Sequence, residues 1–126
     1  MASGTFKILI VDDEPNIVMA IKHILEDERF TLYEANDGET ALKLVKDTDP
    51  HLIILDVMMP GMDGFAVAKS IIRSENSADT KILFLTAKGT SKDKLQGYAS
   101  GGESYMIKPF DNDDLLNQVL YLLELE

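Results

Sequence analysis

Hydrophobic positions along this chain fall into two kinds of segment that alternate from one end to the other. Short apolar runs rich in β-branched residues predict strands, and longer segments with helical spacing separate them. The predicted strands are residues 6–11, 31–35, 52–55, 82–85 and 104–107. Most of these runs are almost continuously apolar, as in strands of a parallel sheet that is covered on both faces. The segment 31–35 is more mixed and predicts an edge strand.

Five helices are predicted between and after these strands, and each has its own start signal. A proline favours the first turn of a helix, and a short polar side chain can cap it. These signals are Pro15, Asn36 or Asp37, Asp63, Thr90 or Ser91, and Asp111. The fourth helix is predicted to end near Gly101. Strands alternating with helices in this way predict one α/β sandwich with a parallel sheet.

Apolar residues at helical spacing predict the face that each helix turns toward the sheet. For the first helix these are Ile17, Ala20, Ile21, Ile24 and Leu25. For the second they are Ala41, Leu42 and Val45. The last helix has the broadest apolar face, formed by Leu115, Leu116, Val119, Leu120, Leu122 and Leu123.

The composition fits a single compact domain and excludes several classes of protein. The 126 residues are 45% hydrophobic, which is enough for a core without disulfide or metal supports. We expect residues 1–5 to be a disordered leader and residues 6–126 to be the domain. The chain has no cysteine, so disulfides, thiolate metal sites and a cysteine nucleophile are excluded. No apolar run approaches the roughly 20 residues of a membrane span, and the N-terminal residues lack an export signal. We therefore expect a cytoplasmic location without membrane contact.

The charge balance argues against direct contact with nucleic acid. Twelve basic and 22 acidic residues give a formal net charge of −10, which would repel a phosphate backbone. The acidic residues after position 110 are interpreted as a solvated helix face and a favourable helix N-terminus rather than as an interaction tail.

Candidate chemistry lies where the predicted strands end, because ligands of open parallel sheets bind beyond the carboxyl ends of the strands. Asp12 and Asp13 follow the first strand, and Asp56 follows the third. Thr86 follows the fourth strand, and Lys108 follows the fifth. Three carboxylates, a hydroxyl and an ammonium are therefore predicted to lie together at the end of the sheet where the parallel strands finish.

Three carboxylates in one crevice repel each other and need a cation. Oxygen ligands favour a hard ion, Mg²⁺ or Mn²⁺, over zinc. With Lys108 and Thr86 beside it, such an ion would suit phosphoryl transfer. Asp56 is the natural acceptor, because a carboxylate that is ionised at neutral pH needs no general base.

Each of these residues also has an ordinary interpretation. The Asp12 and Asp13 pair alone is typical of a strand-end turn with a helix cap. Lysine is usually a surface residue, and threonine is common in strands. Only the coincidence of all five side chains at one sheet edge favours a functional site.

The order and spacing of four stretches resemble bacterial two-component response-regulator receiver domains. The stretches are ILIVDDEP at 8–15, LIILDVMMPGMDG at 52–64, LTA at 85–87 and KPF at 108–110. The resemblance covers essentially the whole chain. It implies a doubly wound, flavodoxin-like sandwich with five parallel strands in the order 2-1-3-4-5 and five flanking helices.

The resemblance also implies roles for the metal and phosphate ligands. Asp56 would be the phosphoacceptor, and Asp13 and Asp56 would bind Mg²⁺ directly. Asp12 would bind it through water, and the backbone carbonyl of Met58 would complete the protein ligands. Lys108 and Thr86 would contact the phosphoryl oxygens.

Other implied features lie around this centre. Tyr105, with Thr86, would report phosphorylation to the face built by the fourth helix, the fifth strand and the fifth helix. Pro109 would follow a cis peptide bond. Met58 and Lys88 stand where other receivers often carry acids or amides that orient the hydrolytic water. We therefore expect slow self-dephosphorylation.

The leading interpretation is a phosphorylation switch rather than an enzyme with turnover. It would take its phosphoryl group from a histidine kinase, a histidine phosphotransfer protein or a small phosphodonor, and act on an effector protein or a fused output domain. A monomer is expected, with dimerisation on phosphorylation left open. The alternatives are a flavodoxin-like cofactor protein, an α/β phosphohydrolase, and a receiver-shaped scaffold that no longer accepts phosphate.

Overall fold

The strands of the computed structural model form one parallel sheet and one small hairpin. The structure describes residues 5–59, 62–73, 80–87 and 104–125. The large sheet contains β1 (Phe6–Val11), β2 (Phe30–Ala35), β3 (Leu52–Asp56), β6 (Lys81–Ala87) and β7 (Ser104–Lys108). The hairpin pairs β4 (Met58–Met59) with β5 (Met62–Asp63) in antiparallel register.

The order of strands in the large sheet is β2-β1-β3-β6-β7. All four pairings are parallel, so each crossover returns the chain to the same starting edge. Without the small hairpin this is the predicted order 2-1-3-4-5, which is therefore confirmed. The mixed segment that ends at Ala35 forms β2, and it lies at the edge of the sheet as expected.

Helices cover both faces of the sheet. The described helices are α1 (Pro15–Ile24), α2 (Gly38–Thr48), α3 (Gly64–Arg73) and α4 (Asn112–Leu122). The helix predicted from Thr90 or Ser91 to Gly101 falls on residues outside the described ranges, as do residues 1–4 of the predicted leader.

Alternate side chains of the central strands point to opposite faces and divide the core into two clusters. One cluster joins residues such as Leu9, Ile53 and Phe84 to α2 and α3. The other joins residues such as Ile10 and Leu83 to α1 and α4. The three central strands are therefore buried on both faces, as their continuous apolar runs predict.

Two helix caps identified in the sequence are present. The side chain of Asp37 accepts a hydrogen bond from the backbone N–H of Thr40, which decides between Asn36 and Asp37. The side chain of Asp111 accepts hydrogen bonds from the N–H groups of Asp113 and Asp114. These caps satisfy N–H groups that have no partner within the helix.

The prediction of the inward-facing residues is wrong at two positions. Ala20 is exposed, and Val18 is buried with Ile21 instead. Leu42 is exposed, and its neighbour Leu44 packs against the core. In both helices adjacent apolar residues allow two helical phases, and contacts with distant strands and helices select one of them.

Candidate functional site

The carboxyl ends of β1 and β3 bring two aspartates side by side. Val11 pairs with Leu55 in the register of these strands, so Asp12 and Asp56 occupy the next level of the sheet. Both residues are buried. Asp56 is the last residue of β3 rather than the first residue after it. The sheet edge therefore holds two carboxylates in the interior, as the strand ends predict.

Four carboxylates converge at this edge. Asp12, Asp13, Glu14 and Asp56 each offer one oxygen, and these oxygens all lie within 4.8 Å of one another. Asp13 is half-buried and Glu14 is exposed. Carboxylates this close favour a bound cation, and an all-oxygen donor set matches Mg²⁺ or Mn²⁺.

The two oxygens of Asp12 have different surroundings. Oδ1 accepts a hydrogen bond of 2.9 Å from the backbone N–H of Glu14. Oδ2 is buried and accepts no hydrogen bond of good geometry among the described residues. A buried carboxylate oxygen of this kind normally has a partner. Its partner is the Lys108 ammonium, 2.9 Å away. The four carboxylates together still exceed this one positive charge, so the residues present also fit a metal ion.

Lys108 is the last residue of β7 and reaches the same carboxylates across the ends of β6 and β3. Its Nζ lies 2.9 Å from Asp12 Oδ2, 3.1 Å from Glu14 Oε1 and 3.3 Å from Asp56 Oδ2. The contact with Glu14 is a hydrogen bond of 3.1 Å, and the contacts with Asp12 and Asp56 are ion pairs. One ammonium therefore partly balances three carboxylates.

These contacts raise the pKa of Lys108. Burial lowers the pKa of the ammonium, but the contacts with Asp12 and Glu14 and the charges of Asp56 and Asp12 outweigh this effect. The net shift is upward from the ordinary value for lysine. Lys108 is therefore positively charged across the physiological range.

Thr86 and Tyr105 lie on the two strands beyond β3. Asp56 pairs with Leu85, so Thr86 is one residue further along β6 and is buried. Tyr105 pairs with Phe84 across β6 and β7, and is half-buried against the same core cluster. The structure therefore places Thr86 at the same end of the sheet as the four carboxylates. The switching role of Thr86 and Tyr105 stays a prediction.

The segment that follows Asp56 packs closely under the start of α3. Met58 begins the small hairpin, and its role as a backbone ligand stays a prediction. A Cβ atom on Gly64 would lie 2.6 Å from Val57 Cα and 2.8 Å from the backbone oxygen of Asp56. Because both neighbours are backbone atoms, only glycine fits there without moving the chain beside Asp56. Lys88 lies outside the described residues.

Sequence reasoning did not single out Glu14 as a member of the site. Its signal was its place directly after Asp13 and before Pro15. This is the N-cap position of α1, where a carboxylate ordinarily interacts with the free N–H groups and the dipole of the helix. Its side chain makes no capping hydrogen bond and contacts Lys108 instead.

Three further observations complete the description. An open cleft of about 380 Å³ begins at Asp12 and Asp13 and runs between α1 and the end of β2. The peptide bond between Lys108 and Pro109 is cis, as predicted. None of the helices in the described ranges is long and apolar enough to cross a membrane.

Known proteins with similar sequence or structure were found in three comparisons. The family model for the response regulator receiver domain matches residues 8–120. The DNA-binding dual master transcriptional regulator RpaA of Synechocystis sp. is 41% identical over 93% of this chain and 48% of its own length. The transcriptional regulatory protein SrrA of Staphylococcus aureus is 38% identical over 93% of this chain and 47% of its own length.

A similar solved structure is that of the chemotaxis response regulator CheY4 of Vibrio cholerae. It is 32% identical, has a TM-score of 0.87, and the match covers 94% of this chain and 98% of that one. The chain spans about half the length of the curated relatives RpaA and SrrA. With the family model matching almost the whole chain, and with the fold and strand-end carboxylates described above, the chain belongs to the response regulator receiver domain family of two-component signalling.

Proposed function

We propose that Asp56 is the phosphoryl acceptor of this receiver domain and that the transfer depends on Mg²⁺. The observation that carries the proposal is the position of Asp56: its buried carboxylate lies 3.3 Å from the Lys108 ammonium and within 4.8 Å of three further carboxylates. A nucleophile, a fixed cation and a ligand set for a second cation therefore converge on one side chain.

The proposed ligands of Mg²⁺ are the carboxylates of Asp13 and Asp56, the carboxylate of Asp12 through water, and the backbone carbonyl of Met58. The closeness of the four carboxylates, whose charge one ammonium balances only in part, supports this assignment. When bound, the ion would supply positive charge to the carboxylate and phosphate oxygens. Mn²⁺ would satisfy the same oxygen ligands.

In the proposed transfer, a carboxylate oxygen of Asp56 forms a bond to phosphorus. The bond between phosphorus and the imidazole nitrogen of a phosphohistidine breaks, and the nitrogen keeps the electron pair. Asp56 is ionised and needs no base to remove a proton. Lys108 and Thr86 then hold the phosphoryl oxygens by an ion pair and a hydrogen bond.

The partners follow from this chemistry. The donor is a histidine kinase, a histidine phosphotransfer protein or a small phosphodonor. RpaA is named a DNA-binding transcriptional regulator, and both curated relatives are about twice as long as this chain. For this chain we propose action on an effector protein or on a fused output domain. The net charge of −10 disfavours nucleic-acid contact by this domain.

The proposed output is a shift between two conformations. Phosphoryl oxygens at Asp56 would pull on Thr86, and Tyr105 on the adjoining strand would respond. Tyr105 pairs with Phe84, and Phe84 lies two residues before Thr86 on the same strand. This closeness supports transmission of the change from Thr86 to Tyr105. In this proposal the protein is a cytoplasmic regulator that catalyses only its own phosphoryl transfer and its own slow dephosphorylation.

Incubation with acetyl phosphate and Mg²⁺, followed by intact-protein mass spectrometry, tests the proposal. We expect one phosphoryl adduct on the natural protein and none on Asp56→Asn or after removal of divalent ions. Asp47→Asn, which removes an exposed aspartate of α2, is the matched control and should be modified normally. An adduct that persists in Asp56→Asn would refute the assignment. No adduct on the natural protein would favour a receiver-shaped scaffold.

A further inference from the structure

The three carboxylates around Lys108 differ in how much water reaches them. The side chain of Asp12 is 0% exposed and that of Asp56 is 4% exposed, whereas the side chain of Glu14 is 60% exposed. Breaking a contact leaves a buried carboxylate without solvation, but an exposed carboxylate is hydrated again by water. Glu14 is therefore the partner that Lys108 can release at least cost.

Glu14 nevertheless takes a hydrogen bond of the ammonium. Lys108 donates a hydrogen bond of 3.1 Å to Glu14 Oε1, beside its ion pair of 2.9 Å with Oδ2 of Asp12. A lysine has only three N–H donors, so a donor held by Glu14 is lost to other acceptors. Glu14 and any phosphoryl oxygen near Asp56 would compete for the same nitrogen.

The backbone fixes Glu14 for this contact. The N–H of Glu14 donates to Asp12 Oδ1 at 2.9 Å, and the side chain makes no capping bond to α1. Asp12, Glu14 and Lys108 therefore form a closed loop of contacts. The backbone of Glu14 is therefore held by Asp12, the aspartate that lies beside Asp56.

We propose that Glu14 is a positioning residue that holds Lys108 before phosphorylation and releases it when phosphoryl oxygens arrive. This inference rests on the proposed function of Asp56. Glu14 then opposes phosphorylation: the Glu14 contact must be given up before Lys108 can serve the phosphoryl group. Removing the charge of Glu14 makes the ammonium available and strengthens binding of a phosphoryl mimic.

The test is the affinity for beryllofluoride at saturating Mg²⁺, measured by isothermal titration calorimetry. We expect Glu14→Gln to bind the mimic roughly two- to fivefold more tightly than the natural protein, the size expected for an exposed charged contact. Glu34→Gln is the matched control. Glu34 is 55% exposed and pairs with Lys22 at 2.7 Å, so its substitution removes the same charge from a similar ion pair. We expect the control to leave the affinity unchanged.

A double-mutant cycle separates the role of Lys108 from simple repulsion between Glu14 and the anion. In a Lys108→Met background, Glu14→Gln should no longer tighten binding of the mimic. If Glu14 acts by direct repulsion, the substitution would tighten binding at least as much without Lys108, and the proposal would be overturned. Equal affinities of the natural protein, Glu14→Gln and Glu34→Gln would overturn it as well.

Failure of this inference differs from failure of the proposed function. If the natural protein binds no beryllofluoride in the presence of Mg²⁺, the assignment of Asp56 fails and the role of Glu14 falls with it. If the natural protein binds the mimic and Glu14→Gln binds it no better, only the role of Glu14 fails.

Discussion

Lys108 and Asp12 lie near opposite ends of the chain, yet the ammonium nitrogen of Lys108 is 2.9 Å from Oδ2 of Asp12. Their strands, β7 and β1, are separated in the sheet by β3 and β6. The lysine side chain therefore extends over the ends of two strands to reach the carboxylates. In the absence of a metal ion, this contact supplies the positive charge that two buried aspartates require.

Magnesium should stabilise the folded protein, and Asp13 should be needed for the effect. A ligand that binds only the folded state adds about 2.7 kcal/mol at 100 times its dissociation constant. We expect thermal unfolding with excess Mg²⁺ to show this gain over unfolding in a chelator. Asp13→Asn should lose the gain and should unfold at a higher temperature than the natural protein in the chelator, because one repulsive charge is gone. Equal gains in Asp13→Asn and in the control Asp47→Asn would contradict the assigned ligands.

Loss of Lys108 should destabilise the metal-free protein with a defined pH dependence. Folding raises the pKa of this lysine. Its contribution is therefore complete below the unfolded pKa of about 10.4 and is lost as pH rises through the folded pKa. We expect Lys108→Met to lower the free energy of unfolding by about 3 kcal/mol from neutral pH to about pH 10, and by less above it.

Urea unfolding in a chelator at several pH values measures this difference. Lys22→Met is the control, because its ion pair with Glu34 is about half exposed on both sides. We expect the control to cost less than about 1 kcal/mol. A Lys108→Met cost no larger than that of the control would show that the buried carboxylates do not depend on Lys108.

A methyl group at position 64 should disturb the acceptor. Gly64→Ala would press against the backbone of Asp56 and Val57, and overpacking of this kind costs about 1–3 kcal/mol. We expect the rate of phosphorylation by acetyl phosphate to fall as well. Ile21→Val, a core change within α1 that costs about 0.5–1.5 kcal/mol, should keep the natural rate. If both variants phosphorylate at the natural rate, the contact at Gly64 does not position Asp56.

The phosphorylated form should be long-lived because of two side chains identified from the sequence. Met58 and Lys88 stand two residues after Asp56 and Thr86, and neither can orient a hydrolytic water as a carboxylate or amide could. We expect Met58→Asn or Lys88→Glu to shorten the half-life of the phosphorylated protein, measured by loss of the mass adduct. An unchanged half-life in both variants would contradict the idea.

The large sheet was predictable because its signals are local. Each central strand is an apolar run that ends in a polar residue, and parallel strands bring such ends to one edge. The proximity of Asp12 and Asp56 is therefore predictable from the sequence. The caps at Asp37 and Asp111 were predictable for the same reason, since each lies directly before its helix.

Other features depend on contacts that the sequence does not encode locally. The choice of Val18 over Ala20 for burial is made by packing against distant strands and α4. The direction of the Lys108 side chain depends on the carboxylates at the ends of β1 and β3, and the Glu14 side chain turns away from its helix toward the Lys108 ammonium. The small hairpin after Asp56 has strands of only two residues, too short for any periodicity.

The most direct measurement of the central claim is the identity of the phosphorylated residue. Borohydride reduces an aspartyl phosphate to homoserine, and peptide mass spectrometry then locates the modified position. After treatment with acetyl phosphate and Mg²⁺, we predict homoserine at position 56, with Asp12 and Asp13 unchanged. Reduction at Asp12 or Asp13 with Asp56 intact would contradict the account.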